Sequence, residues 1–261
     1  MRIPLPGARL GYGLAGVAAA VGLAELLPRL GVVDPRHLPP VSRIAAALGT
    51  ELGQSGFWLA VADTLAAWAQ GLLIAVVAGV VCGVVIASVP GLRAATASTI
   101  EFLRPIPSVA LIPLAILLLG TGIESTLLLV VYASFWQVLI QVIAGINDID
   151  SVAADTARSF RLSAARRVWH LALPSALPYI LTGVRLAASV ALVLAVTAEL
   201  VIGAPGLGHE ISVAKTSAAV PRMYALIAVT GILGVAVNLA ARGAERRLLR
   251  WHPSIRQEVP A

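Results

Sequence analysis

Residues 64–89 read TLAAWAQGLLIAVVAGVVCGVVIASV and contain no charged side chain. A helix needs about 20 residues to cross the roughly 30 Å hydrocarbon core of a bilayer, because each residue adds about 1.5 Å. Strands of a membrane barrel would instead alternate apolar and polar residues in short segments. The stretch therefore predicts a membrane-spanning helix.

The whole chain shares this apolar character. Its 261 residues are 59% hydrophobic and 12% charged, and its mean hydropathy is +0.91. One water-soluble core of this size could not bury so much apolar surface. We expect an all-α integral membrane protein with about six transmembrane helices. Besides residues 64–89, five stretches have the length and composition of spans, at about residues 11–30, 98–119, 125–145, 176–202 and 223–241.

The segments between the spans carry signals of their own. A proline-containing stretch at residues 34–40 precedes a predicted surface helix, in which apolar residues recur at every fourth position. These residues are Ile44, Leu48 and Leu52. Three prolines interrupt the third predicted span, namely Pro105, Pro107 and Pro113. Because each proline lacks a backbone N–H, we expect this span to be kinked and to leave carbonyl groups that need other partners.

The cationic residues are divided unevenly between the two sides of the membrane that six spans define. Twelve of the 19 lie on the side of both termini: Arg2, Arg9, Arg93, Arg158, Arg161, Arg166, Arg167, Arg242, Arg246, Arg247, Arg250 and Arg256. Five lie on the other side: Arg29, Arg36, Arg43, Lys215 and Arg222. Arg104 and Arg185 lie at span ends. The positive-inside rule therefore predicts cytoplasmic termini, and we attribute the net charge to topology and partner docking rather than to nucleic-acid binding.

The longest polar stretch follows the fourth span, at residues 147–170. A helix within it would end at Phe160 and Leu162, which form an apolar knob among arginines. A second short helix over residues 164–171 would be stopped by Pro174. Two short helices that are basic and apolar together are typical of a plug for a groove on another protein. A solvated amphipathic loop held to anionic lipid is the alternative that the residues alone leave open.

Polar side chains inside the core spans are the candidates for a translocation pathway, because each is expensive in lipid and should face a cavity or a partner. They are Tyr132, Ser134, Trp136, Gln137 and Gln141 on the fourth span, and Thr197 and Glu199 on the fifth. Gln137 and Gln141 are one helical turn apart and could instead hydrogen-bond a neighbouring span. For Glu199, near the end of its span, a gate, a helix contact and ordinary hydration all remain open.

Several other functions have little support in the sequence. No glycine-rich phosphate-binding loop with Lys and Ser or Thr is present, so ATP hydrolysis would need another polypeptide. We expect no catalytic residues, because a membrane-embedded enzyme would need clustered carboxylates or a Ser/His pair at membrane depth. A self-sufficient secondary transporter would show inverted repeats, and no second half matches the proline-rich third span. We expect no metal site, because the histidines are scattered, at His37, His170, His209 and His252.

The polar stretch resembles the cytoplasmic EAA loop of ABC importer permeases. Aligned on the Leu-Pro pair at residues 173–174, the family's Glu-Ala-Ala falls on Asp155, Thr156 and Ala157. Arg161 stands where the family usually has Gly. Arg accepts a positive φ less readily than Gly, so this departure bears directly on the geometry of the turn.

The remainder of the chain, from about residue 41 to residue 251, is similar to the permeases of the nitrate, sulfonate and taurine type. One departure is Ala67, where that family commonly carries Arg. The landmarks of the resemblance are Asp63-Thr-Leu, Phe102-Leu-Arg-Pro-Ile-Pro107, residues 173–186, Ala198-Glu199, Gly206-Leu-Gly208 and residues 246–251. The implied domains are an N-terminal helix and outer segment (1–40), a permease core (41–251) with a coupling loop at 147–175, and a cytoplasmic tail (252–261).

The resemblance implies a type I ABC importer permease with a MetI-like fold, known as a binding-protein-dependent transport inner membrane component. Such a chain lies in the bacterial inner membrane and binds no cofactor itself. It pairs with a second permease copy, here a homodimer, with two ATPase subunits that bind ATP and Mg, and with an extracytoplasmic binding protein. The implied cargo is a small solute such as a sulfonate, nitrate or another organic anion. The residues implied in ATPase docking are Asp155, Thr156, Ala157, Arg158, Ser159, Phe160, Arg161 and Leu162.

Overall fold

The computed structural model describes residues 6–250, a range that is built of helices and short connections. Five helices are long and apolar enough to span a membrane, and a bent pair provides a sixth. The prediction of an all-α protein with about six spans is therefore confirmed. Trp251 and the predicted tail, residues 252–261, lie outside the described residues. The helices are α1 (Pro6–Arg29), α2 (Val41–Leu52), α3 (Ser55–Ser88), α4 (Pro90–Leu103), α5 (Ile112–Leu119), α6 (Ile123–Asn147), α7 (Ser151–Ser159), α8 (Ala164–Arg167), α9 (Leu173–Ile202), α10 (Leu207–Thr216) and α11 (Val220–Leu248).

Helices α3, α6 and α9 pack side by side as the centre of the bundle. On α3, small buried residues recur at every fourth position where it meets α6: Gly71, Ala75, Gly79 and Gly83. A Cβ atom on Gly79 would lie 2.8 Å from the Cβ atom of Val138, closer than real Cβ contacts. Such small-residue faces let two helix backbones approach closely, which is how helices associate where lipid removes the hydrophobic driving force.

This close packing predicts unequal effects for two glycine substitutions. We expect Gly79→Ala to destabilise the permease by about 1–3 kcal/mol, because the added methyl group overpacks the contact with α6. Gly231→Ala on α11 is the matched control, since an added Cβ atom there would meet nothing within 4 Å beyond the neighbouring backbone of its own helix. Its stability should stay within about 1 kcal/mol of wild type. Thermal unfolding in detergent measures both, and equal melting temperatures for the two variants would contradict the proposed contact.

The third predicted span is broken rather than kinked. Helix α4 and the segment 108–119, which includes α5, meet at an angle of 82°. Pro105 and Pro107 lie in the break, and Pro113 lies in the first turn of α5. Pro113 fits the first turn because its missing N–H would have no partner there. Pro105 and Pro107 each lack an N–H that a continuing helix would need, and their rings would clash with the preceding turn.

Arg93 falls between the predicted spans at residues 64–89 and 98–119, where the sequence implies a loop, and the structure corrects this expectation. Helix α3 ends at Ser88 and α4 begins at Pro90, so Arg93 lies within a helix rather than in a loop. Pro90 takes the first helical position of α4, where its fixed φ is already suited to a helix. The turn between the two helices is therefore reduced to the extended residue Val89.

The predicted stop at Pro174 is also wrong. Residues 164–202 form one continuous helical segment that includes α8, a π-helical turn (Val168–Ala172) and α9. Within the turn, the N–H of Leu173 donates to the carbonyl of Val168, five residues earlier. In regular α geometry the ring of Pro174 would clash with the carbonyl four residues before it. The wider π turn changes this register, so the helix continues past Pro174.

Polar contacts fasten the two ends of the bundle. At one end, here called the α2 end, Arg222 on α11 donates to Glu51 on α2 over 2.8 Å and to Glu210 on α10 over 2.7 Å. At the opposite end, here called the α7 end, the hydroxyl of Tyr179 on α9 donates to Asp148 over 2.6 Å. These contacts fix the long helices relative to one another on both sides of the apolar layer. The predicted surface helix is α2, and it packs against α11.

Candidate functional site

A cavity of about 640 Å³ lies where the break after α4 faces α6 and α9. Three of the seven predicted pathway residues, Tyr132, Trp136 and Gln137, line it. The other lining residues are Ile100, Glu101, Arg104, Pro105, Ile106, Pro107, Ser108, Ala133, Ile140 and Val190. The proline break therefore creates concave space at a place where an unbroken helix would fill it.

Tyr132 supplies a hydrogen bond to a backbone carbonyl that loses its helical N–H donor at the prolines. In a continuous helix the carbonyl of Leu103 would accept from the N–H of residue 107, which is a proline. The Tyr132 hydroxyl donates to this carbonyl over 2.7 Å, and the N–H of Ile106 donates to it over 3.2 Å. One wall of the cavity is thus held in shape by a side chain on α6.

Aromatic rings form part of the cavity wall. The ring of Trp136 meets Tyr132 edge to face at 5.8 Å and Phe135 at 5.1 Å. Trp136 is 8% exposed, and its indole N–H has no hydrogen-bond acceptor among the described residues. Edge-to-face contacts of this kind hold aromatic rings in defined orientations.

Three further candidates lie outside the cavity. Ser134 is fully buried, with its hydroxyl 3.4 Å from the carbonyl of Ala187 on α9. Gln141 packs against Gly183, where a Cβ atom would lie 3.0 Å from that of Gln141. Thr197 donates to the carbonyl of Val193, four residues earlier in its own helix. The two glutamines therefore have different surroundings, since Gln137 lines the cavity and Gln141 lies in the contact between α6 and α9.

Glu199 is 0% exposed and lies at the α2 end of α9, between α3 and α10. Its Oε2 atom accepts from the hydroxyl of Thr64 over 2.8 Å and from the N–H of Gly208 over 3.0 Å. Thr64 in turn accepts from the N–H of Leu207 over 2.8 Å. These hydrogen bonds are a contact between helices, which is one of the three alternatives that the sequence leaves open for Glu199. The contact brings together three separate landmarks of the resemblance, and we call it the Glu199 cluster.

Two glycines make the Glu199 cluster possible. Gly206 has φ = +145°, a conformation that favours glycine. A Cβ atom on Gly206 would overlap the carboxylate of Glu199, and one on Gly208 would overlap the carbonyl oxygen of Val196. The start of α10 therefore lies directly against α9, at a separation that a larger residue would prevent.

Sequence reasoning missed Glu101 and Arg104 as site residues. Both line the cavity, at the end of α4 and at the residue that caps it. Arg104 was assigned to a span end, because the third span was treated as one kinked helix. Arg104 belongs to the Phe102–Pro107 landmark and directly precedes Pro105, and this position was the signal that could have placed it at the break.

The predicted docking residues form a compact helix and turn at the α7 end. Asp150 caps α7 by accepting from the N–H of Val152 over 2.6 Å. At the other end of α7, the N–H of Leu162 donates to Ala157 over 3.1 Å and the N–H of Arg161 donates to Arg158 over 2.8 Å. This pair of bonds is the Schellman motif, which ends a helix with a left-handed residue. Arg161 is that residue, with φ = +50°.

The two residues of the predicted apolar knob, Phe160 and Leu162, differ in how far they are exposed. Phe160 is 77% exposed, whereas Leu162 is half-buried within the chain. Asp155 and Arg158 form an exposed ion pair at 3.3 Å, and such surface pairs contribute little to stability. Phe160 is therefore a large apolar side chain with most of its surface free, while Leu162 belongs to the turn. Among the other loop residues on α7, Thr156 and Ser159 are exposed, whereas Ala157 is buried.

Because Arg161 has a positive φ, we expect glycine to have opposite effects on local stability at Arg161 and at Arg166. We expect Arg161→Gly to stabilise the turn by about 1 kcal/mol, because glycine adopts positive φ without the steric cost of a side chain. Arg166→Gly removes the same charge from α8, where glycine costs about 1 kcal/mol. Hydrogen exchange followed by mass spectrometry should show residues 157–162 exchanging about fivefold more slowly in Arg161→Gly. Faster exchange in both variants would show that charge, rather than backbone conformation, governs this turn.

Comparison with known proteins agrees with the architecture. The family of the binding-protein-dependent transport system inner membrane component matches residues 75–250. The taurine transport system permease protein TauC of Escherichia coli (strain K12) is 33% identical over 231 residues, which are 87% of this chain and 84% of that protein. The bicarbonate transport system permease protein CmpB of Synechocystis sp. is 31% identical over 156 residues, 59% of this chain and 55% of that protein.

A solved structure of the MetNI methionine ABC transporter, in an inward-facing conformation, shares the fold. Its matched chain aligns with a TM-score of 0.63 and 20% identity, covering 73% of this chain and 96% of that one. The predicted MetI-like fold is therefore confirmed. The chain belongs to the family of inner membrane components of binding-protein-dependent transport systems, and it is a permease subunit of an ABC importer of the nitrate, sulfonate and taurine type.

Proposed function

We propose that the cavity between the α4 break, α6 and α9 is this chain's half of a translocation pathway for a small organic anion such as a sulfonate. The observation that carries the proposal is the cavity itself, which combines a broken helix, aromatic walls and the cationic Arg104. Irregular backbone at membrane depth is tolerated where it lines a cavity. The relatives named for taurine and bicarbonate transport support a small cargo that carries an anionic group.

We further propose that the exposed Phe160 docks into a groove of a separate ATPase, which binds ATP and Mg. The continuous helical segment from Ala164 to Ile202 supports this role, since one element leads from the docking turn to Val190 on the cavity wall. Movement of the ATPase would thus reach the cavity through a single helical element. The ATPase can shift the permease only as far as its groove fits one conformation better than the other.

The remaining partners follow from the same assignment. A second copy of the chain completes the pathway, two ATPase subunits lie against the α7 end, and an extracytoplasmic binding protein delivers the solute to the α2 end. The α7 end lies in the cytoplasm together with both termini, because the arginines are concentrated there. Thr197 and Glu199 would then lie toward the outer face, with Glu199 holding α10 rather than contacting the solute.

Site-directed cross-linking tests this arrangement. A Cys82→Ser background removes the native thiol, and cysteine is then placed at Ser159 on α7 or at Thr216 on α10, both of which are exposed. With the partner ATPase and a bifunctional maleimide, we expect the Ser159 variant alone to form a permease–ATPase adduct. An adduct from Thr216, or none from Ser159, would contradict the placement of the coupling loop.

A further inference from the structure

Another cavity lies at the α7 end, apart from the proposed pathway. It has a volume of about 350 Å³ and is here called the α7 cavity. Ala154 and Arg158 line it from α7, and Arg167, Val168 and Leu171 line it from the helical segment that begins at Ala164. Residues at the ends of α3 and α6 provide most of the remaining wall. The exposed knob at residue 160 is not part of this wall, so docking to an ATPase leaves the cavity without a role.

The charged residues that line the α7 cavity are both arginines. Arg158 lies on α7 and Arg167 is the last residue of α8, so the two charges come from separate elements. Arg167 takes part in none of the five ion pairs within 4.0 Å over residues 6–250. Arg158 pairs with Asp155 at 3.3 Å, but both side chains are exposed, and such a pair contributes little. Both guanidinium groups are therefore available to an added anion.

The carboxylates that precede α7 do not offset this positive charge within the cavity. Asp148 accepts from the hydroxyl of Tyr179 over 2.6 Å, and Asp150 accepts from the N–H of Val152 over 2.6 Å. Neither carboxylate is among the residues that line the α7 cavity. The lining therefore favours an anionic ligand.

The remainder of the wall is largely apolar and borders a surface that suits lipid. Ile146 and Leu171 are among its members, and Ser88 lines it from the end of α3. Val85, which shares a helix face with Ser88, is 48% exposed, and the adjacent Val89 is 49% exposed. Exposed apolar side chains at the end of a membrane-spanning helix suit contact with acyl chains. An anion in this cavity would thus lie beside hydrocarbon as well as beside arginine.

A basic pocket between helices at the cytoplasmic face of a membrane matches the chemistry of a lipid phosphate. We propose that the α7 cavity binds an anionic phospholipid, with its phosphate on Arg158 and Arg167 and its acyl chains toward the end of α3. Guanidinium groups bind phosphate oxygens through charge-assisted hydrogen bonds, which are the stronger kind. The proposal rests on the cytoplasmic placement of the α7 end in the proposed function.

A bound phosphate would also connect two parts of the coupling apparatus. Arg158 belongs to α7, which ends at the docking turn, whereas Arg167 belongs to the segment that continues to Ile202. A phosphate held by both arginines ties these elements together. The lipid contact that the sequence leaves open for this loop is then an addition to ATPase docking rather than an alternative to it.

Native mass spectrometry of the delipidated permease–ATPase complex tests the proposal. The complex is titrated with phosphatidylglycerol and with phosphatidylcholine of identical acyl chains. We expect wild type to bind phosphatidylglycerol at least about tenfold more tightly, as charged hydrogen bonds imply. About a hundredfold excess of glycerophosphoglycerol, which has the same phosphate and no acyl chains, should not displace it, because the chains add apolar contact. Equal binding of the two lipids, or displacement by the soluble compound, would overturn the lipid assignment.

Two neighbouring arginines provide a matched comparison within α8. Arg167→Gln should lower the affinity for phosphatidylglycerol by about tenfold or more and leave phosphatidylcholine unchanged. Arg166→Gln removes the same charge from an exposed residue that does not line the cavity. Its loss should stay below about fivefold, which is the general attraction of one surface arginine to anionic lipid. Equal losses in the two variants would show non-specific attraction and overturn the site.

ATP-driven uptake separates this proposal from the function on which it rests. The complex and its binding protein are reconstituted in phosphatidylcholine liposomes with and without phosphatidylglycerol. Phosphatidylglycerol should raise uptake by wild type and by Arg166→Gln, and Arg167→Gln should lose this stimulation. Stimulation that persists in Arg167→Gln would overturn the lipid proposal and leave the importer function intact. Absence of uptake by wild type in both lipids, with a solute that the binding protein holds, would instead overturn the proposed function.

Discussion

Replacing Phe160 with Ala should lower ATP-driven import by at least about tenfold while leaving the permease folded. Phe160 is 77% exposed in the chain, so its removal takes away little internal packing. Aromatic residues that fill a partner's pocket typically contribute about 2 kcal/mol or more to binding, which is about thirtyfold in affinity. The assay is uptake into proteoliposomes that contain the permease, its ATPase and its binding protein.

Two further substitutions, together with melting temperatures, distinguish docking from folding. Phe160→Leu keeps an apolar knob of similar length and should retain most of the import, whereas Phe160→Asp should behave like Phe160→Ala or worse. Melting temperatures of all three should lie close to that of wild type. Full import by Phe160→Ala would contradict the assignment of Phe160 as the ATPase anchor.

The second large effect is expected in the Glu199 cluster. Glu199→Ala removes the acceptor used by Thr64 and Gly208, and each buried group left without a partner costs about 1–3 kcal/mol. The deleted side chain also leaves a cavity in a closely packed contact. Gly208→Ala forces α10 away from the Val196 carbonyl and should be at least as damaging. Both variants should show strongly reduced amounts of folded permease and lower melting temperatures in detergent.

Glu199→Gln is the control that separates structure from transport chemistry. Its amide oxygen can accept from both donors, so we expect near wild-type folding and import. If Gln at this position were as destabilising as Ala, the hydrogen-bonding account of the cluster would fail. If Gln instead folded normally but lost import, Glu199 would act in the pathway rather than in the contact with α10.

Much of the fold follows from hydropathy alone. Uncharged runs such as residues 64–89 have few alternatives to a membrane helix, so the existence of most spans could be predicted. Their ends could not, because helices continue beyond the apolar layer: α3 begins at Ser55 rather than Thr64. The π turn at Val168–Ala172 was also unpredictable, since a proline normally signals the end of a helix.

The site was less accessible to sequence reasoning, because it depends on distant parts of the chain. Thr64 and Glu199 are 135 positions apart, and their hydrogen bond exists only once α3 and α9 pack together. Gln137 and Gln141 look equivalent in sequence, yet one lines the cavity and the other lies against Gly183. The knob at Phe160 was more predictable, since it depends on local capping and turn signals.

The positive φ of Arg161 shows what the departure from the family pattern means physically. The turn after α7 has the left-handed conformation that glycine would adopt most readily, and Arg161 adopts it at φ = +50°. Three features compensate for the strained residue: two backbone hydrogen bonds of the Schellman motif and the burial of Ala157 beneath the turn. The geometry of the loop is therefore retained although the residue type has changed.

The most direct test of the account is ATP-driven uptake by the reconstituted importer. The cargo is the solute that most raises the melting temperature of the partner binding protein. We expect this solute to accumulate in liposomes only when the permease, the ATPase with ATP and Mg, and the binding protein are all present. Accumulation by the permease alone, or driven by an ion gradient without the ATPase, would contradict the assignment as an ATP-driven import subunit.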